Sequence, residues 1–295
     1  MLAAVNVDWK ISLRIAGLLA LATVACAEPD AQAQAAVAAT PPGVAAPERH
    51  WRLGVALGYG QRTNPLIQSD NIPVIVDLDI AWFGERWFFD NGDLGFSLVD
   101  KPAFTLNTIA RVNTDRAFFS KTNTKFINFQ YLAGGELAPT ANDQVVAFKP
   151  PKRDYAIEIG FETLFDGDWG AASVQAFRDV SGTHDGFEVG ANYSYRLTRG
   201  RFSIAPSVGV AYKSRKLNDY YWGVHADEAS LLITEYHADD GFGWEAGLRA
   251  SHYLTKDLRL AMSVNYERLQ DSVARSPLVK DDQVLGWYAG LAWTF

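Results

Sequence analysis

The stretch Leu258–Glu267, reading Leu-Arg-Leu-Ala-Met-Ser-Val-Asn-Tyr-Glu, decides the fold. Side chains on an extended strand point alternately to opposite faces. Leu258, Leu260, Met262, Val264 and Tyr266 therefore share one face, and Arg259, Ala261, Ser263, Asn265 and Glu267 share the other. Moving outward, the same split places Phe242, Trp244, Ala246, Leu248 and Ala250 against Gly243, Glu245, Gly247 and Arg249. It recurs with Phe187, Val189, Tyr193 and Tyr195 opposite Glu188, Gly190, Asn192 and Arg196, and with Tyr155, Ile157, Ile159 and Phe161 opposite Glu158, Gly160 and Glu162. Trp51, Leu53, Val55, Leu57 and Tyr59 against Arg52, Gly54, Ala56 and Gly58 repeat it at the N-terminal side.

Six more segments carry strand character: Val74–Phe83, Trp87–Leu98, Phe104–Val112, Trp169–Val180, Phe202–Lys213 and Leu285–Phe295. Most strands run about 9 to 13 residues, enough to cross a tilted bilayer and longer than the usual strand of about 5 to 6. Short turns at Gly84-Glu85-Arg86, Asp166-Gly167-Asp168, Thr198-Arg199-Gly200 and Thr255-Lys256-Asp257 alternate with longer polar links at 61–71, 179–186, 215–241 and 270–283. Outer-membrane barrels are built with that asymmetry, and with an even number of strands. An additional crossing between Thr114 and Arg153, over Lys125–Leu132, completes an all-β, antiparallel transmembrane barrel of about 12 strands, with 10 to 12 compatible. The rival architecture is a soluble sandwich, in which the apolar rows would meet in a dry interior.

Aromatic residues gather near strand ends, at Trp82, Phe83, Trp87, Phe88 and Phe89 and again at Trp293 and Phe295, where amphipathic rings suit the headgroup level. The last strand, with Gly290, Trp293 and the terminal Phe295, is similar to the signal that the β-barrel assembly machinery reads during insertion. Outer-membrane lipid is then the expected surrounding of the barrel.

Composition agrees with this reading. Of the 295 residues 48% are hydrophobic, yet after the N-terminus no run of about 18 apolar residues exists that could form a membrane helix. A formal charge of -7 without a clustered basic face argues against nucleic acid as a partner. A single cysteine rules out an internal disulfide. Lys10 and Arg14 before the apolar run Ile15–Ala25 give residues 1–27 the layout of a secretory signal peptide. Ala22-Thr23-Val24-Ala25-Cys26 leaves open a lipobox, with Cys26 acylated, although Thr23 stands where a bulky aliphatic residue is usual. Residues 28–50, rich in Ala and Pro, read as a flexible linker, so the barrel domain spans 51–295.

Three motifs in order carry a family resemblance: Asp179-Val180-Ser181-Gly182-Thr183-His184-Asp185-Gly186, then Asn218-Asp219-Tyr220-Tyr221-Trp222-Gly223-Val224, then Ser276-Pro277-Leu278-Val279. Together, ahead of a terminal Phe, they resemble the MipA/OmpV family of outer-membrane proteins over roughly 51–295. Trp222 stands where that family more often has Tyr, and the stretch 113–152 matches poorly. The resemblance implies an outer-membrane site in a Gram-negative bacterium. For the family's namesake it also implies a scaffolding role that joins a murein hydrolase, a lytic transglycosylase, to a bifunctional murein synthase. Other relatives are linked to adhesion, osmotic response or drug uptake.

Catalytic chemistry is not expected. Ser251 and His252 are neighbours on one strand and so point to opposite faces. His50, His184, His225 and His237 fall in the tether or in loops, and without an H-x-E pattern or cysteine ligands His184 with Asp179 and Asp185 is a weak metal signal. No cofactor and no metal are expected. The inward row gathers Asp77, Asp79, Glu158, Glu162, Glu188, Glu245 and Glu267 with Arg52, Arg196, Arg249 and Arg259; these charges either brace the lumen as a hydrogen-bonded network or line a narrow cation pathway. Asp219, Tyr220, Tyr221 and Trp222 are a partner-contact or loop-folding segment, because aromatics cluster in a loop when they pack. The expected function is a non-catalytic envelope scaffold; a narrow channel for small solutes or antibiotics is the alternative, and a lipid-modifying barrel enzyme comes third.

Overall fold

The computed structural model describes residues 50–67, 69–119, 151–229 and 233–295. The signal peptide, lipobox and linker, and the crossing over Lys125–Leu132, lie outside the described residues.

The strands are β1 (His50–Arg62), β2 (Ile72–Phe83), β3 (Trp87–Asp90), β4 (Asp93–Lys101), β5 (Phe104–Val112), β6 (Ile157–Gly167), β7 (Gly170–Asp179), β8 (Phe187–Ser194), β9 (Leu197–Arg199), β10 (Phe202–Lys213), β11 (Gly241–Tyr253), β12 (Leu258–Arg268) and β13 (Gln283–Thr294). Each pairs antiparallel with its neighbours, and the register Gly54↔Thr294 to Arg62↔Gly286 joins β1 to β13 and closes the ring. β8 and β9 lie against the same side of β10, at Ser207–Lys213 and Phe202–Ile204, so they form one interrupted stave. The result is a closed barrel of 12 staves.

The twelfth stave arises elsewhere than expected. Trp87–Leu98 is not one strand but the β3–β4 hairpin, turned at Asn91 (φ 50) and Gly92 (φ 105). Asn-Gly is the pair that a two-residue turn with positive φ requires. β5 and β6 are hydrogen-bonded directly to each other from Phe104↔Phe165 to Val112↔Ile157.

Exposure decides between barrel and sandwich. Phe161 is 58% exposed, Val264 42% and Leu291 38%, while Glu158 on the alternate row is fully buried. The same outward apolar row occurs on β1, β6, β8, β10, β11, β12 and β13. A water-soluble monomer rarely exposes a contiguous apolar patch beyond a few hundred Å². A belt passing around the ring fits lipid instead.

Both chain ends of the barrel and the short turns after β2, β4, β6, β9 and β11 lie at one end, which in such barrels faces the periplasm. At the other end the long connections fold over the mouth with, among the described residues, three short helices, α1 (Arg116–Phe119), α2 (Arg215–Trp222) and α3 (Asp271–Ala274). Leu66, Phe118, Leu217, Trp222, Val273 and Leu278 form one buried cluster there. They come from four separate connections around the ring, so the apolar core of this protein sits across the barrel mouth.

Candidate functional site

Below the cap, charged residues at the upper strand ends meet. Arg111 on β5 donates from Nε to Glu158 on β6 at 2.9 Å and from Nη2 to Glu188 on β8 at 2.9 Å. Its guanidinium lies 3.7 Å from the centre of the Phe177 ring. Asn113 donates to the second Glu158 oxygen at 2.7 Å, and Lys213 donates to both Asp115 oxygens at 2.7 and 2.8 Å. Charges taken out of water cost several kcal/mol each unless paired and hydrogen-bonded, and here every one is.

The loop after β7 is organised by one carboxylate. Asp179 accepts from the Ser181 amide (2.8 Å) and hydroxyl (2.6 Å) and from the amides of His184 (2.7 Å) and Asp185 (2.8 Å). Asp185 (φ 51) and Gly182 (φ 74) supply the left-handed positions that this wrap needs. The His184 side chain is fully enclosed; its Nδ1 accepts from the Gly186 amide at 2.9 Å and its Nε2 faces Glu158 at 3.5 Å.

In the cap, buried Arg153 donates to the carbonyl oxygens of Tyr221 (3.3 Å) and Gly223 (2.9 Å) and pairs with Glu228. Burial pushes the Glu228 carboxyl up, but the Arg153 hydrogen bond and the His225 amide outweigh it and hold the group below the usual carboxylate range. Burial, with Asp115 nearby, pushes the Tyr221 phenol far up, so it stays neutral. Tyr221 and Trp222 are buried, and Trp222 packs on Phe118 with ring centres 5.5 Å apart. Asp219 and Tyr220 remain partly accessible, and the Tyr220 hydroxyl oxygen accepts from the Asp154 amide at 2.9 Å.

The lumenal residues expected from sequence divide. Arg52 pairs with Asp79 at 3.1 Å and with Asp90 at 3.3 Å. Glu267 meets Arg62 at 3.4 Å, Glu162 accepts from Asn107 at 3.5 Å, and Glu245 accepts from Asn192 at 3.4 Å. Asp77 sits opposite Ala56, and Arg249 and Arg259 lie on β11 and β12. Arg196 is a correction: it falls in the break between β8 and β9 and is exposed, because the strand has already stopped at Ser194. Sequence reasoning missed Arg62, Arg111, Asp115, Arg153 and Lys213. Arg111 and Lys213 were within reach, since both stand on strands recognised from their alternation.

Gly290 on β13 faces Gly58 on β1, where a Cβ would lie 2.6 Å from the Leu57 carbonyl oxygen. Trp293 points outward, and Phe295 donates its amide to the Leu53 carbonyl oxygen at 2.7 Å. Ser251 and His252 are neighbours on β11 and so face opposite sides, and the His184 side chain is fully enclosed. Among the described residues no group of three or more His, Cys, Asp or Glu side chains is placed to hold a metal ion.

A family profile described as MltA-interacting protein MipA matches residues 53–295. YiaT of Escherichia coli is 26% identical over 54% of this chain and 65% of its own length. The outer membrane protein OmpV of Vibrio cholerae is 25% identical over 59% of this chain and 66% of its own. The MltA-interacting protein of Escherichia coli is 33% identical over 29% of this chain and 35% of its own. The chain thus spans just under two thirds of the length of the first of these relatives. Their names describe outer-membrane or interacting proteins and no enzyme.

Proposed function

The chain belongs to the MltA-interacting protein MipA family of outer-membrane barrels, and from that premise we propose that it is a non-catalytic scaffold of the cell envelope, gathering a murein hydrolase and a murein synthase at the outer membrane. One observation carries this reading: loops from four sides of the ring pack into a single apolar cap over the mouth, underpinned by the Arg111–Glu158–Glu188 and Lys213–Asp115 groups. A general pore needs an unobstructed mouth, whereas an anchor does not. The cap also absorbs Tyr221 and Trp222, so the Asp219–Trp222 segment acts in loop folding, and partners meet the periplasmic rim of short turns. The closing strand with Gly290, Trp293 and Phe295 serves as the mark for the barrel-assembly machinery.

The test is capture. The folded barrel, immobilised and exposed to solubilised envelopes, retains murein hydrolase and synthase activity on isolated sacculi. An empty capture with a barrel that still shifts on boiling overturns the scaffold.

A second reading, a narrow channel, draws on the accessibility of Glu245 and Arg249 in the lumen beneath the cap. Steady, salt-dependent steps in planar bilayers would favour it.

A further inference from the structure

The lipid-facing surface carries a charge that the barrel does not answer. Arg178 is the last residue but one of β7, at the capped end, and it lies directly opposite Ile159 on β6 and Phe187 on β8. Residues opposite each other across an antiparallel pair share a face. Ile159 and Phe187 both belong to the exposed outward row, so Arg178 stands on the outside of the barrel, where it too is exposed. A cation on that side is disfavoured among acyl chains and tolerated near the interface.

Rings mark its depth. Phe187, Tyr212 and Phe242 follow one another along the outside of β8, β10 and β11, with centres 6.0 and 5.1 Å apart. Tyr155 stands just before β6, on the other side of Arg178. Aromatic rows of this kind lie at the headgroup level. Arg178 is therefore at the height of the polar groups of the outer leaflet, and its long stem lets the guanidinium reach them.

The carboxylates nearest to it in the chain are engaged elsewhere. Asp179 is on the inward row and is wrapped by the amides of Ser181, His184 and Asp185. Asp185 faces Lys216 at 3.8 Å. Among the described residues Arg178 makes no ion pair. Arg268 on β12, outward beside Trp244 at the same end, instead holds Asp282 at 2.5 Å. A second cation stands near Arg178 on the β5 side: the Arg116 guanidinium lies 3.6 Å from the centre of the Tyr155 ring, and its Nε and Nη1 are enclosed and meet no acceptor. Its charge adds to the positive potential of this sector of the rim.

Two cations without a counter-charge, set in an aromatic girdle that faces the outer leaflet, fit an anion supplied by that leaflet. Arginine takes phosphate through two parallel N–H groups. We infer that Arg178 binds a phosphate on the headgroup of one lipopolysaccharide molecule, the phosphorylated glycolipid of the outer leaflet, with Arg116 reinforcing the field. The outward row beneath it, with Ile159, Val174 and Val189, receives the acyl chains.

The test uses the full barrel refolded in detergent with a chelator present, so that divalent ions cannot bridge lipid to carboxylates. It is titrated with purified lipid A, the phosphorylated anchor of lipopolysaccharide, and the bound fraction is read by native mass spectrometry. One lipid A per chain is expected, at concentrations that leave its dephosphorylated form unbound. Arg178→Gln weakens retention about 10-fold, as loss of one charge-assisted contact does, and adding Arg116→Gln abolishes it. Lys256→Gln, in the turn at the opposite end, changes nothing, and migration on unboiled gels verifies that each variant is folded. Excess inorganic phosphate leaves the lipid in place, because its acyl chains hold it as well. Undiminished retention in either the single or the double variant, equal binding of the dephosphorylated lipid, displacement by inorganic phosphate, or a wild-type barrel that retains no lipid A overturns the site.

Discussion

At the scale of single residues, the protein concentrates its risk in Arg111. One guanidinium serves two buried carboxylates and covers the Phe177 ring, so its removal strands Glu158 and leaves Glu188 with Lys213 at 3.9 Å. Breaking a buried pair costs about 3–5 kcal/mol, mostly through the stranded charge. Arg111→Ala therefore lowers the urea midpoint of the detergent-folded barrel, and adding Glu158→Gln and Glu188→Gln recovers much of the loss. Trp222→Ala costs about 3–5 kcal/mol by the different route of an unfilled cavity in the cap. It loosens the outer loops to protease while the barrel keeps its shift on boiling. These two residues also mark the limit of what alternation can tell. Arg111 has the parity of an inward residue and was within reach though missed, whereas the burial of Trp222 depends on Phe118 and Leu278, which sequence spacing does not bring together.

At the scale of elements, most staves were readable because a surface that meets lipid on one side and a polar lumen on the other imposes period two. Two elements escaped for physical reasons. The first arm of the β3–β4 hairpin has only four residues, too few for alternation to register, and the polar run Asp90-Asn91-Gly92-Asp93 is what signals the reversal. The helix α2 buries Leu217, Asn218, Tyr221 and Trp222 against the other loops, so its form follows from partners distant in sequence. The orientation of each stave has a direct test. Val264 faces outward on β12, and Val264→Arg costs about 2–4 kcal/mol if it lies near the bilayer midplane. Measured by unfolding in lipid vesicles, that loss should shrink in detergent micelles, and an equal loss in both would contradict a lipid-facing row.

At the scale of the whole molecule, a capped ring predicts a quiet membrane protein. Wild-type protein in planar bilayers shows no sustained steps, and replacing 215–240 by a short Gly-Ser turn produces them, because the mouth then lies open. Conductance unchanged by that deletion would mean that the lumen below the cap is the true barrier. The pairing of β1 with β13 has a further consequence. Two edges from opposite extremes of the barrel sequence must find each other, so every partial intermediate carries two raw margins of unmet backbone groups. Such a chain cannot mature piecemeal while it is being made. The ring closes only when both terminal strands are in place, which makes the β1–β13 seam the place where a defective copy is betrayed.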